Sequence, residues 1–467
     1  MNNTHEDREN LRLVAVAVGV ATIGGFMFGY DSGVINGTQE GLRNTFKLSE
    51  AWLGITVSAL LPGCAAGAFV AGRLADVWGR RRVMLAAAVL FIASALLAGA
   101  ANSALIMIMA RLAAGGAVGA ASVLAPAYIS EVTPARMRGR LSSLQQVMII
   151  SGLTGAFLVN YVLAHEAGRS TDSLWLGYAA WRWMFWMQVV PATVFLLTLL
   201  LIPESPRFLV ARQRYAEARS VLSRLFGQRV ADLRMEEIKR TVSAEHLPSF
   251  ADLRDGHGRI RRILWVGIGL ATFQQLVGIN VVFYYGATLW QAVGFSEADS
   301  LRINILSGAL SIAACLLAIA VIDRIGRKPL LLIGSIGMAM TLGVVTMSFG
   351  SGTFAHGTLH LAPPIARLAL ISANLYVIFF NMSWGPVMWV MLGEMFPNQI
   401  RGSSLAVSGA AQWLANFLVS ASFPVLASSL SLPVTYGFYT TGAVLSIFFV
   451  VRMVHETRGR ELEDMVG

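Results

Sequence analysis

Asp31 stands in the stretch GYDSG, inside a long apolar run. A carboxylate there is costly unless it is paired or protonated. The comparable basic residue inside an apolar run is Arg111, which opens RLAAGGAVG. A buried acid with a movable Arg partner can exchange that partner for a proton, because burial favours the neutral form and a nearby guanidinium the ionised one. Two readings fit these residues: a device that couples a proton to another event, or a permanent structural ion pair.

A second cluster is neutral. Gln274, Gln275 and Asn280 fall within seven residues, followed by Phe283, Tyr284 and Tyr285. Carboxamides both donate and accept hydrogen bonds. Hydroxyl groups do the same, so this set suits a neutral polyol where carboxylates would favour a cation. The three amides converge only if the segment is locally irregular, since they do not share one helical face. The competing reading is packing glue between helices, a role amides also fill in membranes. Gln145 and Gln146 begin another apolar run, and Trp384, Trp389 and Trp413 lie near Gly385-Pro386. Any single Trp also fits an interfacial belt.

These residues need elements that hold them inside an apolar phase, and the composition supplies them. The 467 residues are 55% hydrophobic and 13% charged, with mean hydropathy +0.62. Soluble domains carry about 25% charge. Apolar runs such as 11–30, 83–109 and 263–289 reach the ~20 residues that cross a bilayer as a helix. Strand-like alternation is absent, so the fold class is an all-α integral membrane protein rather than a barrel. Hydropathy places twelve spans at 12–34, 51–74, 82–101, 105–128, 139–164, 182–202, 260–292, 302–324, 329–350, 366–394, 402–427 and 434–453. The net charge of +10 gathers in particular loops, around 80–82, 136–140, 207–262 and 324–328. This is the positive-inside pattern and no sign of a nucleic-acid partner. It puts those loops and both termini in the cytoplasm. The first span follows a polar, acidic start and reads as a retained helix. Cys64 and Cys315 sit in apolar runs as packing residues.

Three charged phrases occur twice in the same order. Asp76-Val-Trp-Gly-Arg80-Arg81 is echoed by Asp323-Arg-Ile-Gly-Arg327-Lys328. Glu131, Pro134, Arg138 and Gly139 are echoed by Glu394, Pro397, Arg401 and Gly402. Pro203-Glu204-Ser-Pro is echoed more weakly by His455-Glu456-Thr-Arg. Ordered repeats argue for duplication, with halves at 1–202 and 260–454, a linker of amphipathic helices at 203–259 and a short tail at 455–467. Duplicated six-span halves around a midplane cavity are the plan of many secondary transporters. Topology signals alone explain the recurrent Arg and Gly but not the recurrent carboxylates.

Together GRLADVWGRRR (72–82), PAYISEVTPARMRG (126–139), PESPRFL (203–209), FQQLVGINVVFYY (273–285), DRIGRKPLL (323–331), SWGPVMWVMLGEMFPNQIRG (383–402), QWLANF (412–417) and HETRGR (455–460) resemble the sugar porters of the major facilitator superfamily. The likeness is to bacterial xylose–proton symporters and, more distantly, to facilitative glucose transporters, and it covers nearly the whole chain. It implies a major facilitator fold and a sugar-contacting set of Phe28, Gln146, Gln274, Gln275, Asn280, Trp389, Gln412 and Trp413. It implies a proton-coupling pair of Asp31 and Arg111. It also implies a cytoplasmic gate made by Arg80, Glu131, Arg138 and Glu204 in one half and Arg327, Glu394, Arg401 and Glu456 in the other. Two positions depart from the pattern. Leu153 stands where xylose symporters carry Gln, and Ser311 lies near a place that commonly holds Asn.

The resulting expectation is a proton-coupled monosaccharide symporter of the bacterial inner membrane, working by alternating access on a sugar such as glucose or xylose. Its partners are the sugar and the bilayer, it acts as a monomer, and its coupling ion is the proton with no cofactor or metal. A facilitative uniporter is the first alternative. A non-transporting sugar sensor is a second; the chain stops at Gly467 without the long signalling tail of such proteins. No nucleophile–base set, metal cluster or phosphate loop points to an enzyme.

Overall fold

The computed structural model describes residues 10–134, 138–243, 253–254, 258–355, 358–397 and 400–458, with the side chains of 138–143, 241–243, 354–355 and 358 excepted. Among the described residues, twelve segments are long and apolar enough to cross a membrane. The first half holds α1 (Leu11–Phe46), α2 (Glu50–Ser58), α3 (Leu60–Trp78), α4 (Arg80–Ala100), α5 (Ala104–Val132), α6 (Arg138–Ala167), α7 (Ala180–Trp186) and α8 (Val189–Leu199). Three amphipathic helices follow: α9 (Pro206–Ala211), α10 (Tyr215–Phe226) and α11 (Gln228–Ser243). The second half holds α12 (Arg262–Leu276), α13 (Ile279–Ala292), α14 (Glu297–Ile325), α15 (Arg327–Gly350), α16 (Pro363–Met382), α17 (Trp384–Met395), α18 (Arg401–Ser429) and α19 (Leu432–Met453). Between α15 and α16 the chain forms a small hairpin, β1 (Thr353–Ala355) with β2 (Thr358–His360). Hydropathy does not register so short a pair; it seats Leu359 against the bundle.

Packing repeats between the halves. In the first, α1 lies on α6, α3 on α5, and α4 on both α5 and α8. In the second, α12 lies on α18, α14 on α16, and α15 on both α16 and α19. Contacts across the halves obey the same symmetry, with α2 on α18 and α6 on α14. The lipid-facing surface carries Phe69, Val89, Leu105, Leu201, Met340 and Phe448, all exposed. In lipid that exposure costs nothing, while every backbone polar group is satisfied inside a helix.

Local chemistry explains the element ends. Asn10 caps α1 by accepting from the Leu13 N–H at 3.1 Å, and its own N–H donates to the Leu225 carbonyl at 2.9 Å, tying α10 to the start of α1. Ser296 caps α14 through the Asp299 N–H at 3.1 Å. Along α1, Gly25, Gly29, Gly33, Gly37 and Gly41 recur every fourth residue. This face meets α6 so closely that a Cβ at Gly29 would strike the Ile149 carbonyl and one at Gly33 would lie 2.8 Å from the Leu153 carbonyl. Small residues at this spacing let membrane helices approach backbone to backbone.

Two crossings of the second half break where the amides and tryptophans lie. α12 stops at Leu276, and Gly278 takes φ +79° before α13 begins. That left-handed conformation suits glycine alone at little cost. α16 stops at Met382 because Pro386 has no N–H to offer and its ring crowds the Met382 carbonyl. At Gly278 a Cβ would also lie 2.6 Å from the Tyr439 ring. Gly278→Ala therefore adds backbone strain of about 1–2 kcal/mol and displaces Tyr439. The variant should melt at a lower temperature in detergent than the parent; an unchanged melting point would contradict a required left-handed break.

Candidate functional site

The break at Gly278 brings the amides together. Gln274 and Gln275 end α12, and Asn280 opens α13. Asn280 donates to Gln275 at 2.6 Å, Gln275 to Gln274 at 3.0 Å, and Gln274 to the Trp384 carbonyl at 3.0 Å. From α18, Gln412 adds a longer bond to Gln274 at 3.4 Å. Its own Oε1 is buried with no hydrogen-bond partner. Beside it Trp413 is buried, and its ring centroid lies 5.8 Å from that of Phe28, on the opposite half. The result is one polar cluster with an apolar wall, and the local irregularity that it requires is the α12–α13 break.

Two expected members stand apart. Gln146 is half-buried on α6 and makes no bond to the cluster. Trp389 on α17 is 41% exposed and makes none either. At the two departures, Leu153 is buried against α1, and Ser311 accepts a hydrogen bond from Asn381 at 3.2 Å. A carboxamide of α16 thus adjoins this position of α14. Asn381 was legible as a lone amide in the apolar run FFNMSWGP, beside the Trp-Gly-Pro break.

In the first half, Asp31 and Arg111 are both buried, and the Arg111 guanidinium binds the Asp31 carboxylate directly. The second carboxylate oxygen accepts from Gln188 at 2.8 Å. Gln188 lies between α7 and α8, where that crossing is interrupted. Arg111 Nε has no hydrogen-bond partner. A gap of about 10 Å³ adjoins it, bounded by Ser94, Ala98, Ala114 and Gln188, enough for roughly one water. Sequence reasoning found the pair but not Gln188, although it is the one amide in the apolar stretch WRWMFWMQVVP.

The duplicated phrases form matching constructions at the basic end. Arg80 faces Glu131 at 3.5 Å. Arg327 grips Glu394 in two-pronged fashion at 2.8 and 3.0 Å, and Thr457 adds a bond to Glu394 at 2.7 Å. Glu204 caps α4 through the Arg81 N–H at 3.1 Å. Glu456 caps α15 through the Arg327 and Lys328 N–H groups at 3.0 and 2.9 Å. Gly79 and Gly326, with φ +99° and +98°, precede these starts. The weakest sequence echo is thus a clear structural equivalence. Burial works to raise the Glu456 carboxyl, but the N–H groups of Arg458, Arg327, Lys328 and Thr457 outweigh it and hold the carboxyl below its usual range.

Each of these ion pairs stays within one half. Among the described residues, Arg401 bonds the Phe396 carbonyl at 3.3 Å and its Nη2 is buried without a partner, as is Oε2 of Glu131. The Arg138 side chain lies outside the described residues. Hydrogen bonds between the halves gather at the opposite end. Asn36 on α1 donates to the Phe283 carbonyl at 2.7 Å and accepts from Asn304 at 2.8 Å. Gln39 donates to the Tyr284 carbonyl at 2.5 Å and accepts from Thr288 at 2.9 Å. Ser170 N–H reaches Glu297 at 3.1 Å, and Arg302 reaches Tyr161 at 3.0 Å. Asn36 and Gln39 were visible as polar residues three apart in GVINGTQE, one turn beyond Asp31.

Twelve crossings in two similar halves, a polar cluster with aromatic walls between them, and different bonding at the two ends define a membrane transporter. A family model described as "Sugar (and other) transporter" matches residues 17–466. The chain is 48% identical to a glucose transport protein of Synechocystis, over 98% of this chain and 97% of that one. It is 37% identical to the D-xylose–proton symporter of Escherichia coli, over 96% and 94%. A solved structure of the E. coli xylose transporter, in a partially occluded inward-open conformation, superposes with TM-score 0.82 at 34% identity, covering 96% of this chain and 99% of that one. The chain belongs to the sugar transporter family of the major facilitator superfamily. Its family and relatives are transporters, not enzymes.

Glu456→Gln should weaken the α15 cap by about 1 kcal/mol, lowering the melting temperature at neutral pH. A carboxyl held low contributes its stability above its unfolded pKa of about 4.3 and loses it as pH falls through the lower folded value. The gap between parent and variant should therefore persist at mildly acidic pH and close under stronger acid. A gap independent of pH would contradict a charged cap.

Proposed function

We propose that this chain is a proton-coupled monosaccharide symporter that works by alternating access. The buried triad of Asp31, Arg111 and Gln188 carries this reading. A carboxylate so deep has two ways to be stable: held by the guanidinium and the amide, or protonated. Exchange of one state for the other moves one proton. The xylose–proton symporter among its relatives supports the same assignment.

The sugar, a hexose or pentose, binds at the amide cluster. Gln274, Gln275, Asn280 and Gln412 supply donors and acceptors, and Phe28, Trp413 and Trp389 supply apolar faces for its C–H surfaces. Gln146 contributes from the opposite half once the halves approach. The basic end faces the cytoplasm with both termini, by the positive-inside rule, and the protein spans the plasma membrane. On this orientation the bonds among Asn36, Gln39 and α13 close the outer end, and the carrier is inward-facing. The halves 1–202 and 260–454 rock around the linker 203–259. When the cytoplasmic end closes, Glu131 and Arg401, each with an unpaired buried atom in opposite halves, meet across the gap. The repeat gives Arg138 and Glu394 the equivalent contact.

The direct test uses proteoliposomes with no imposed pH gradient. Adding glucose, xylose or galactose outside should raise the external pH for the sugar that is carried. Asp31→Asn should abolish that signal while sugar exchange continues. Sugar entry without proton movement in the parent protein would leave a uniporter. Gln188→Leu removes one hydrogen bond to the ionised carboxylate, about 1–3 kcal/mol, so net uptake should extend to higher pH. An unchanged pH profile would remove Gln188 from the coupling site. Glu131→Gln should favour the inward-facing state and slow net uptake more than equilibrium binding; equal effects on both would contradict a gate.

A further inference from the structure

A cavity of about 230 Å³ lies between the halves at the end closed by Asn36 and Gln39. Its walls come from α1 and Ser170 of the first half and from α13 and α14 of the second. Glu40, Asn44 and Gln291 line it and, among the described residues, make no side-chain hydrogen bond. They present a carboxylate and two carboxamides from both sides of one space. Glu297 lines the same space, and so does Arg43, which is paired with Glu50 at 2.9 Å. Acceptors and donors are mixed, the Glu297 carboxylate takes the Ser170 N–H, and Arg169 and Arg43 both act on the Glu40 carboxylate, so the two acids do not stand as bare charges. That chemistry fits a neutral polyhydroxyl ligand better than a free cation or anion.

We propose that this cavity is a second monosaccharide site, separate from the amide cluster and facing the outside. The inference rests on the transport reading for its orientation and for the identity of the ligand. Among the described residues no aromatic side chain lines it, so it binds more weakly than the central site with its Phe28 and Trp413 walls. Because both halves build it, and because the Ser170–Glu297 and Gln39–Thr288 bonds bridge it, it exists only while the outer end is closed. A ligand that binds one of two states shifts the population toward that state. External sugar at this site therefore holds the carrier inward-facing and delays its return to the outside.

Two measurements test the site. In proteoliposomes holding the carrier in one orientation, initial uptake is followed against external D-glucose or D-xylose, whichever is carried. The parent protein should pass through a maximum and then fall by about half as the weak site fills. Gln291→Leu and Glu40→Gln should rise to a plateau without the fall. Simple saturation in the parent, or a fall that persists in both variants, would overturn the site. The second measurement does not depend on transport. Saturation-transfer NMR of D-glucose is recorded with the full chain carrying Gln274→Ala and Gln275→Ala. Residual binding that disappears on adding Gln291→Leu supports the site. No residual binding, or binding indifferent to Gln291→Leu, overturns it. Should the parent carry none of the sugars while this residual binding persists, the transport reading fails and the outer site stands.

Discussion

One buried acid–base contact constrains the rest of the molecule. Asp31 and Arg111 meet almost fully buried. Separating them without compensation leaves an uncompensated charge in a poor dielectric, which costs several kcal/mol. The first half is therefore assembled around keeping them together. α1 brings Asp31 inward because a glycine at every fourth position lets it lie against α6. α5 carries Arg111, and the interruption between α7 and α8 delivers Gln188 to the remaining carboxylate oxygen. A proton is the smallest species that can relieve such a contact, and the proposed coupling role rests on that.

The second half solves a different problem with the same architecture. Among the described residues it carries no comparable buried charge pair in its core. Its two broken crossings instead gather polar side chains and backbone into one hydrogen-bonded cluster: Gln274 and Gln275 on one side of Gly278, Asn280 on the other, and the Trp384 carbonyl beyond Ser383. Irregular backbone at membrane depth is tolerated where it is buried in protein. On the proposed function, the duplicated fold divides labour, with charge chemistry in one half and neutral recognition in the other. The two ends differ in kind as well. At the basic end, ion pairs close upon their own half. At the opposite end, neutral amides bind the partner half. In the proposed alternating-access cycle, neutral hydrogen bonds at one end are exchanged against ion pairs at the other, which would keep two states within a free-energy gap that a bound sugar can bias.

Much of this was written in the chain. The twelve crossings follow from apolar run length, and the halves from the repeated Asp-x-x-Gly-Arg and Glu-x-x-Pro-x-x-x-Arg phrases. The Asp31–Arg111 contact followed from the cost of two lone charges in apolar runs. The amide cluster was legible too, because three carboxamides fall within seven residues, and the break at Gly278 supplies the irregularity that their convergence needs. What stayed hidden depended on partners distant in sequence. Gln188 and Asn381 are single amides in hydrophobic stretches, and only the packing of α1 and α14 shows which group each one serves. Asn36 and Gln39 bind backbone carbonyls of α13, and a carbonyl carries no sequence signal. Ser311, the departure on α14, takes a hydrogen bond from Asn381 of a neighbouring helix.

The central claim, that the Asp31 proton and the sugar move together, is tested most directly by uphill transport. Proteoliposomes are loaded with equal sugar inside and outside, and an inward proton gradient is imposed with the membrane potential clamped. Coupled movement requires sugar to accumulate inside until its gradient balances the proton gradient, and to return to equality when a protonophore collapses it. Sugar that stays equal on both sides while tracer still exchanges would contradict the coupling and leave Asp31–Arg111 as a structural pair.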